Sequence, residues 1–258
     1  MNESITEAIC GFVKSYKQKE DIATEWQMPL VGFADAADPL FDALKDAVSP
    51  SHSIPYDIMA DARTVVAFFL PFDRDITGSN ISGEKSSRQW AMAYIETNQL
   101  ICDLNQYLKK WFQAAGYDSS IIPATHNFDT TTLISDWSHR HVGFIAGLGR
   151  FGLNNMLITE SGCCGRFGSI VTNCPTAPSP RPGEEYCLYR HNGTCAKCVD
   201  RCACHALTKD GYDRHRCYEV LLANDAHHSD LAMTDVCGKC TVGLPCSCQN
   251  PVTPCGRK

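Results

Sequence analysis

The stretch Cys195-Ala196-Lys197-Cys198-Val199-Asp200-Arg201-Cys202 decides how this chain is read. Its spacing is C-x2-C-x3-C, with Cys187 ahead of it and Cys204 just behind. A second group follows: Cys217 alone, then Cys237-Gly238-Lys239-Cys240, then Cys246 after Leu244-Pro245. Thiolates are soft metal ligands. Several close in sequence nucleate a site, and a distant one ties two segments together, so that metal binding also folds them. Eleven of the 16 cysteines fall between Cys187 and Cys255, whereas the first 160 residues hold only Cys10 and Cys102. A disulfide scaffold is short and evenly stapled. This uneven clustering points to metal.

Two-cluster iron–sulfur domains use C-x2-C-x2-C-x3-C, in which the fourth cysteine ligates the other cluster. With the first spacing expanded, that logic assigns one [4Fe–4S] cluster to Cys187, Cys195, Cys198 and Cys246. The other takes Cys202, Cys217, Cys237 and Cys240. Cys246 and Cys248 are not separable as ligands at this level. Cys204, Cys248 and Cys255 are spare thiols or alternative ligands. The rival reading is structural zinc on Cys195, Cys198, Cys237 and Cys240, a paired C-x2-C set with a long gap. Zinc leaves Cys187, Cys202, Cys217 and Cys246 without a purpose.

Upstream of the thiols, Cys174 to Gly183 is proline-rich, which few helices or central strands tolerate. The domain boundary is placed there. Working back, Leu157–Thr159 and Ser169–Thr172 read as strands joined by the glycine-rich segment 161–168. Thr64–Leu70 is β-branched and aromatic and ends at Pro71, the clearest strand in the chain. Leu30–Ala34 reads as a short buried strand. Helices are expected over Ser4–Lys19 and from Pro39 to Leu44. The polar segment Asp73–Ser87 reads as a loop. Trp90, Tyr94, Ile101, Leu104, Leu108, Trp111 and Phe112 mark a long amphipathic helix ending near Gly116. That stripe reads as core packing, with the alternative that its N-terminal end lines a cofactor pocket.

The net charge is −6, which argues against a protein that coats nucleic acid. No run of apolar residues is long enough for a spanning helix, and the polar start Met1-Asn2-Glu3-Ser4 lacks secretory features. A cytoplasmic protein is expected. Gly147-Leu148-Gly149-Arg150-Phe151-Gly152 is formally G-x-G-x-x-G. No clean strand precedes it, and residues 161–183 hold no Asp or Glu for a ribose. These glycines are therefore expected to let backbone pass a bulky ligand. Just upstream, His126, Asn127, Asp129, Asp136, His139, Arg140 and His141 crowd together. They read either as a hydrogen-bonded turn before a helix or as proton donors at a pocket mouth. A carboxylic acid serves as donor only where burial or a like charge raises its pKa.

Together these pieces resemble the epoxyqueuosine reductase family, cobalamin-dependent iron–sulfur reductases related to reductive dehalogenases. The similar region runs from about Leu30 to Cys246. Ala146-Gly147-Leu148-Gly149-Arg150-Phe151-Gly152-Leu153-Asn154 is similar to the family's A-G-L-G-W-x-G-K-N. Gly168-Ser169 leads into a strand, and Arg214-His215-Arg216-Cys217 supplies the isolated second-group cysteine. The resemblance implies an α+β fold. A nitroreductase-like, cobalamin-binding domain would cover residues 1–180, and a ferredoxin-like domain with two [4Fe–4S] clusters residues 181–258. It implies base-off cobalamin near one cluster, with Gly147, Leu148, Gly149, Phe151, Gly152, Asn154, His139 and His141 as cofactor contacts. Electrons would pass from a low-potential donor such as ferredoxin or flavodoxin, through the clusters, to cobalt.

In the family a carboxylic acid in D-T-x-P-x-x-E supplies the proton. Asn127-Phe128-Asp129-Thr130-Thr131-Thr132-Leu133 is similar, which nominates Asp129, with Asp136 as the alternative. The Pro and Glu of that segment are absent here. Leu153 stands where the family has Lys, and Cys202-Ala203 where it has C-P. The chain stops at Lys258, without the helical extension of the tRNA enzymes. With its acidic balance, that predicts a small molecule or free corrinoid as substrate in preference to tRNA. The alternative function is an electron-transfer protein that reduces a partner's corrinoid.

Overall fold

The structure is a computed structural model, and it describes residues 1–125 and 128–253. In chain order the elements are α1 (Asn2–Tyr16), β1 (Leu30–Asp35), α2 (Leu40–Ala47), α3 (Pro55–Ile58), β2 (Thr64–Pro71), α4 (Arg74–Ser79), α5 (Arg88–Ala114) and β3 (Ser119–Ile121). There follow β4 (Phe128–Asp129), β5 (Ile134–Ser135), α6 (His139–Ile145), β6 (Arg150–Phe151), β7 (Leu157–Ile158), β8 (Gly165–Thr172), α7 (Leu188–Asn192), α8 (Lys197–Asp200) and α9 (Arg214–His227).

β2 organises the fold. All eight of its residues are buried, because helices cover both faces of the sheet, and such a strand reads as one apolar run. The sheet order is β1-β2-β8-β3, antiparallel throughout. Alternate side chains face opposite ways. Val66, Phe68 and Leu70 pack with Ile5 and Ile9 of α1 and Leu100, Leu104 and Leu108 of α5. Val65, Ala67 and Phe69 pack with Phe41 and Leu44 of α2 and Val142 and Ile145 of α6. The fold class is α+β, as expected.

Helix α5 starts where Ser87 Oγ accepts from Trp90 N at 3.1 Å, and Gly116 follows its end at φ +83°. The segment Asp73–Ser87 is not all loop. Asp73 caps α4 by accepting from Asp75 N at 2.9 Å, with Ile76 buried beneath. The glycine-rich 161–168 segment is also not a simple connector. β8 begins inside it at Gly165, and β7 pairs with β6, away from the main sheet.

The proline-rich stretch lies along β1. Ser179 N donates to Phe33 O at 2.8 Å, and Phe33 N donates to Ser179 Oγ at 3.0 Å. It thereby covers an edge that would otherwise present open backbone groups. Beyond it the chain returns to the sheet layer. Cys163 N donates to Cys246 O at 3.0 Å, Asn80 Nδ2 to Cys237 O at 2.8 Å, and Lys239 Nζ to Asn80 O at 2.9 Å and Ser82 O at 2.8 Å.

Candidate metal centres and the adjoining cleft

Short elements set the thiols in place. Cys187 precedes α7, and Cys198 lies within α8. Cys217 sits in the first turns of α9, whose cap Asp213 accepts from Arg216 N at 3.0 Å. Cys187, Cys195, Cys198 and Cys246 line one small cavity, walled also by Leu153, Ile158 and Leu244. Burial first, then Cys246, Cys187 and Cys195, push the Cys198 thiol up to about 12. Cys202, Cys217, Cys237 and Cys240 come together elsewhere. There burial first, then Cys237, Cys217 and Cys202, push the Cys240 thiol up. Four thiols in an apolar cage lose their protons only to a compensating cation. Soft iron supplies one. Among the described residues no group of three or more His, Cys, Asp or Glu side chains closes on a single ion. A cubane of four irons and four sulfides spreads its thiolates more widely than one ion does. The two pairs of the zinc reading stand at different cavities. Cys246 lines the first cavity, whereas Cys248 has Cys164, Thr77 and Arg74 as neighbours. Cys204 Sγ lies 3.9 Å from Cys202 Sγ, and Cys255 lies outside the described residues.

The second thiol set opens on a cleft of about 780 Å³. That is the space of a bulky cofactor or substrate. Its walls include Trp90 and Tyr94 from α5, His141 from α6, Phe151, and Tyr218 from α9. Asn154 borders both the cleft and the first cavity, and its Nδ2 donates to Cys240 O at 3.0 Å. Inside the cleft Tyr94 Oη donates to Asp235 Oδ1. The Arg166 guanidinium lies over the Tyr94 ring, 4.5 Å from its centroid. Burial is the leading cause that raises the Tyr94 phenol pKa above the usual value, against the opposing pull of Arg166.

No family model matches the chain. The epoxyqueuosine reductase of Bacillus anthracis is 24% identical over 211 residues, 74% of this chain and 52% of that protein. A solved epoxyqueuosine reductase from Bacillus subtilis, with a catalytic aspartate loop swung out of its active site, superposes with a TM-score of 0.57. The match covers 96% of this chain and 66% of that one at 19% identity. The chain has the epoxyqueuosine reductase fold. It spans about half the length of the curated relative. A catabolic reductive dehalogenase in complex with 3-bromo-4-hydroxybenzoic acid shares the fold with a TM-score of 0.58, over 86% of this chain and 30% of that one at 15% identity.

Within the epoxyqueuosine reductase fold, the expected site residues separate. Phe151, Asn154 and His141 line the cleft; Gly147, Leu148, Gly149, Gly152 and His139 do not. The glycines serve the chain's own packing. A Cβ on Gly147 would meet Pro180 O at 2.5 Å, and one on Gly149 would meet Ile158 O at 2.0 Å. A Cβ on Gly152 would meet Asn154 Oδ1 at 2.7 Å. The expected close approach is real, but its partner is protein. Leu148 packs in the core beside α6. His139 is buried with both ring nitrogens engaged: Nε2 donates to Pro123 O and Nδ1 accepts from Ser169 Oγ, each at 2.8 Å. Burial holds its pKa down at about 4. His141 is held at about 4 by burial and by Arg140, so a neutral imidazole faces the cleft.

Asp129 meets neither condition for a proton donor. It is exposed and accepts from Thr132 N at 2.7 Å, Thr132 Oγ1 at 2.9 Å and Thr131 N at 3.0 Å. Those bonds, Thr132 first, push its pKa below the usual carboxylate value. Asp136 is exposed and accepts from Ser51 Oγ at 2.6 Å; it does not line the cleft, although Ser135 and Ser138 do. His126 and Asn127 lie outside the described residues. Arg166 and Asp235 went unnoticed in the sequence, and no spacing marks them.

Proposed function

We propose that the chain is an iron–sulfur, corrinoid-dependent reductase that takes electrons from a low-potential donor such as ferredoxin or flavodoxin. One observation carries the reading: four thiols line one small cavity, and Cys202, Cys217, Cys237 and Cys240, with Cys163 nearby, line a large cleft. We divide the chain near residue 180, with the cleft's sheet side before it and the thiols after it. Cys187, Cys195, Cys198 and Cys246 would hold the outer cluster. Cys202, Cys217, Cys237 and Cys240 would hold the one beside the cleft. When bound, the clusters supply one-electron transfer and a corrinoid in the cleft supplies a reducing cobalt.

The chain's own residues orient and protonate. Trp90, Phe151 and Tyr218 give the cleft aromatic walls. Asn154 bridges the two thiol regions. Tyr94 keeps its phenol proton, and Asp235 orients it. Tyr94 is the acid we assign to substrate protonation. A second reading keeps Asp129, because the Bacillus subtilis relative has a catalytic aspartate loop that leaves its active site. Here the flanking Phe128, Leu133 and Ile134 line the cleft. The cleft of about 780 Å³ would admit a small molecule or a free corrinoid.

The test is anaerobic, cluster-loaded protein mixed with cobalamin and a low-potential donor, with the cobalt EPR signal followed. Wild type should bind and reduce the corrinoid. Cys217→Ala should bind it without reducing it. No binding by wild type would refute the proposal. Reduction with no turnover on any organic substrate would favour the electron-transfer alternative. Tyr94→Phe lowering turnover more than Asp129→Asn would select between the two acids.

A further inference from the structure

The cleft holds more positive charge than its surroundings neutralise. Arg140 and Arg166, half-buried, and Arg190 and Arg214, exposed, line it, against a single carboxylate, Asp235, among the described residues. This concentration sits in a chain of net charge −6. Arg166 belongs to the sheet, paired with Leu70 of β2, so its position is fixed by the ladder. Its Nε is enclosed and has no hydrogen-bond partner. Its ionisable neighbours are Tyr94, Asp235 and Arg140. Arg140 donates from Nη1 to Asn155 O at 2.7 Å and reaches Met156 Sδ at 3.5 Å, both neutral. Its ionisable neighbours are Tyr212 and Cys240. Burial pushes both guanidiniums below the usual arginine value, and the charge of Arg140 adds to that effect on Arg166. A guanidinium does not shed its proton in a protein. Charge held partly out of water is costly until an anion pairs with it.

We propose that the inner end of the cleft binds an oxyanion carried by the substrate, a carboxylate or a phosphate, between Arg166 and Arg140. The planar fork of a guanidinium matches a carboxylate or phosphate with two parallel hydrogen bonds. An anion held there would set the rest of the substrate beside the Tyr94 phenol. The word substrate rests on the reductase reading, but the anion site is tested without turnover.

The experiment is isothermal titration of anaerobic, cluster-loaded protein with benzoate and, separately, inorganic phosphate. The variants are Arg166→Met, Arg166→Lys, Arg140→Met and, as a charge control, Arg88→Met, which alters an exposed ion pair with Asp230. Wild type should bind one anion per chain. Arg166→Met and Arg140→Met should weaken that binding by about tenfold or more, as expected for a charged hydrogen bond. Arg166→Lys should fall between, and Arg88→Met should match wild type. No saturable binding, or equal loss in Arg88→Met, would overturn the proposal. Should Arg166→Met fail to fold, wild type and Arg166→Lys still decide it. Cobalamin and cobinamide, which lacks the nucleotide phosphate, separate the sources. If Arg166→Met weakens only cobalamin binding, the arginines read the cofactor's phosphate and the substrate assignment fails. If it weakens an RNA stem-loop instead of the small anions, the partner is RNA and the assignment also fails. Anion binding in protein that never binds a corrinoid would sink the reductase reading and leave this site standing.

Discussion

Gly149→Ala separates a glycine that serves a ligand from one that serves the chain. An added Cβ would lie 2.0 Å from Ile158 O, 2.8 Å from Ile158 C and 3.1 Å from Thr159 Cα. All three are backbone atoms. They cannot swing away, because Ile158 is paired with Arg150 across β6 and β7. Overpacking a well-packed site costs about 1–3 kcal/mol where side chains can move, and more where they cannot. The expected loss is therefore about 3 kcal/mol or more. For a chain of this size each kcal/mol moves Tm by about 2–4 °C, which gives a drop of roughly 6–12 °C. The assay is thermal unfolding by circular dichroism of anaerobic protein without corrinoid. Gly11→Ala is the reference, since nothing lies within 4 Å of its Cβ and it sits inside α1. It should gain about 0.5–1 kcal/mol. An unchanged Tm in Gly149→Ala, with corrinoid affinity lost, would refute the reasoning and return the glycines to the ligand.

Other outcomes follow from the same structure. His139 is held neutral down to about 4, against 6.5 in the unfolded chain. Its contribution is complete above pH 6.5 and is lost as pH falls toward 4, because the unfolded chain takes up the proton first. Urea unfolding should show about 2 kcal/mol lost between pH 7 and pH 5 from this group, and His139→Gln should flatten that slope. An imidazole NMR titration of His139 near 6.5 would contradict it. Cys217→Ala should remove one cluster's iron, whereas Cys204→Ala, though 3.9 Å from Cys202, should leave both; iron analysis decides.

What the sequence made legible has physical causes. β2 was plain because a strand covered on both faces must be apolar throughout, and Thr64–Pro71 is almost entirely so. α5 was plain because twenty-seven residues give a periodic pattern many turns to repeat. The C-x2-C pairs were legible because their spacing is local, whereas Cys246 joins Cys187, Cys195 and Cys198 at one cavity only through the fold. α4 was missed because one buried Ile76 gives no period, although Asp73 was a usable cap signal. The glycine segment announced close packing, but only the fold shows that Ile158 and Pro180 are the neighbours. Tyr94 was absorbed into a core stripe. Arg166 and Asp235 lie far apart in sequence and meet only across the cleft. A site assembled from residues 94, 166 and 235 leaves no mark in any single window.

The most direct measurement is iron, inorganic sulfide and zinc analysis of anaerobically prepared protein, with EPR of the reduced form. The account predicts about eight irons and eight sulfides per chain and signals from two interacting reduced clusters. Stoichiometric zinc, with neither sulfide nor a reduced-cluster signal, would contradict it.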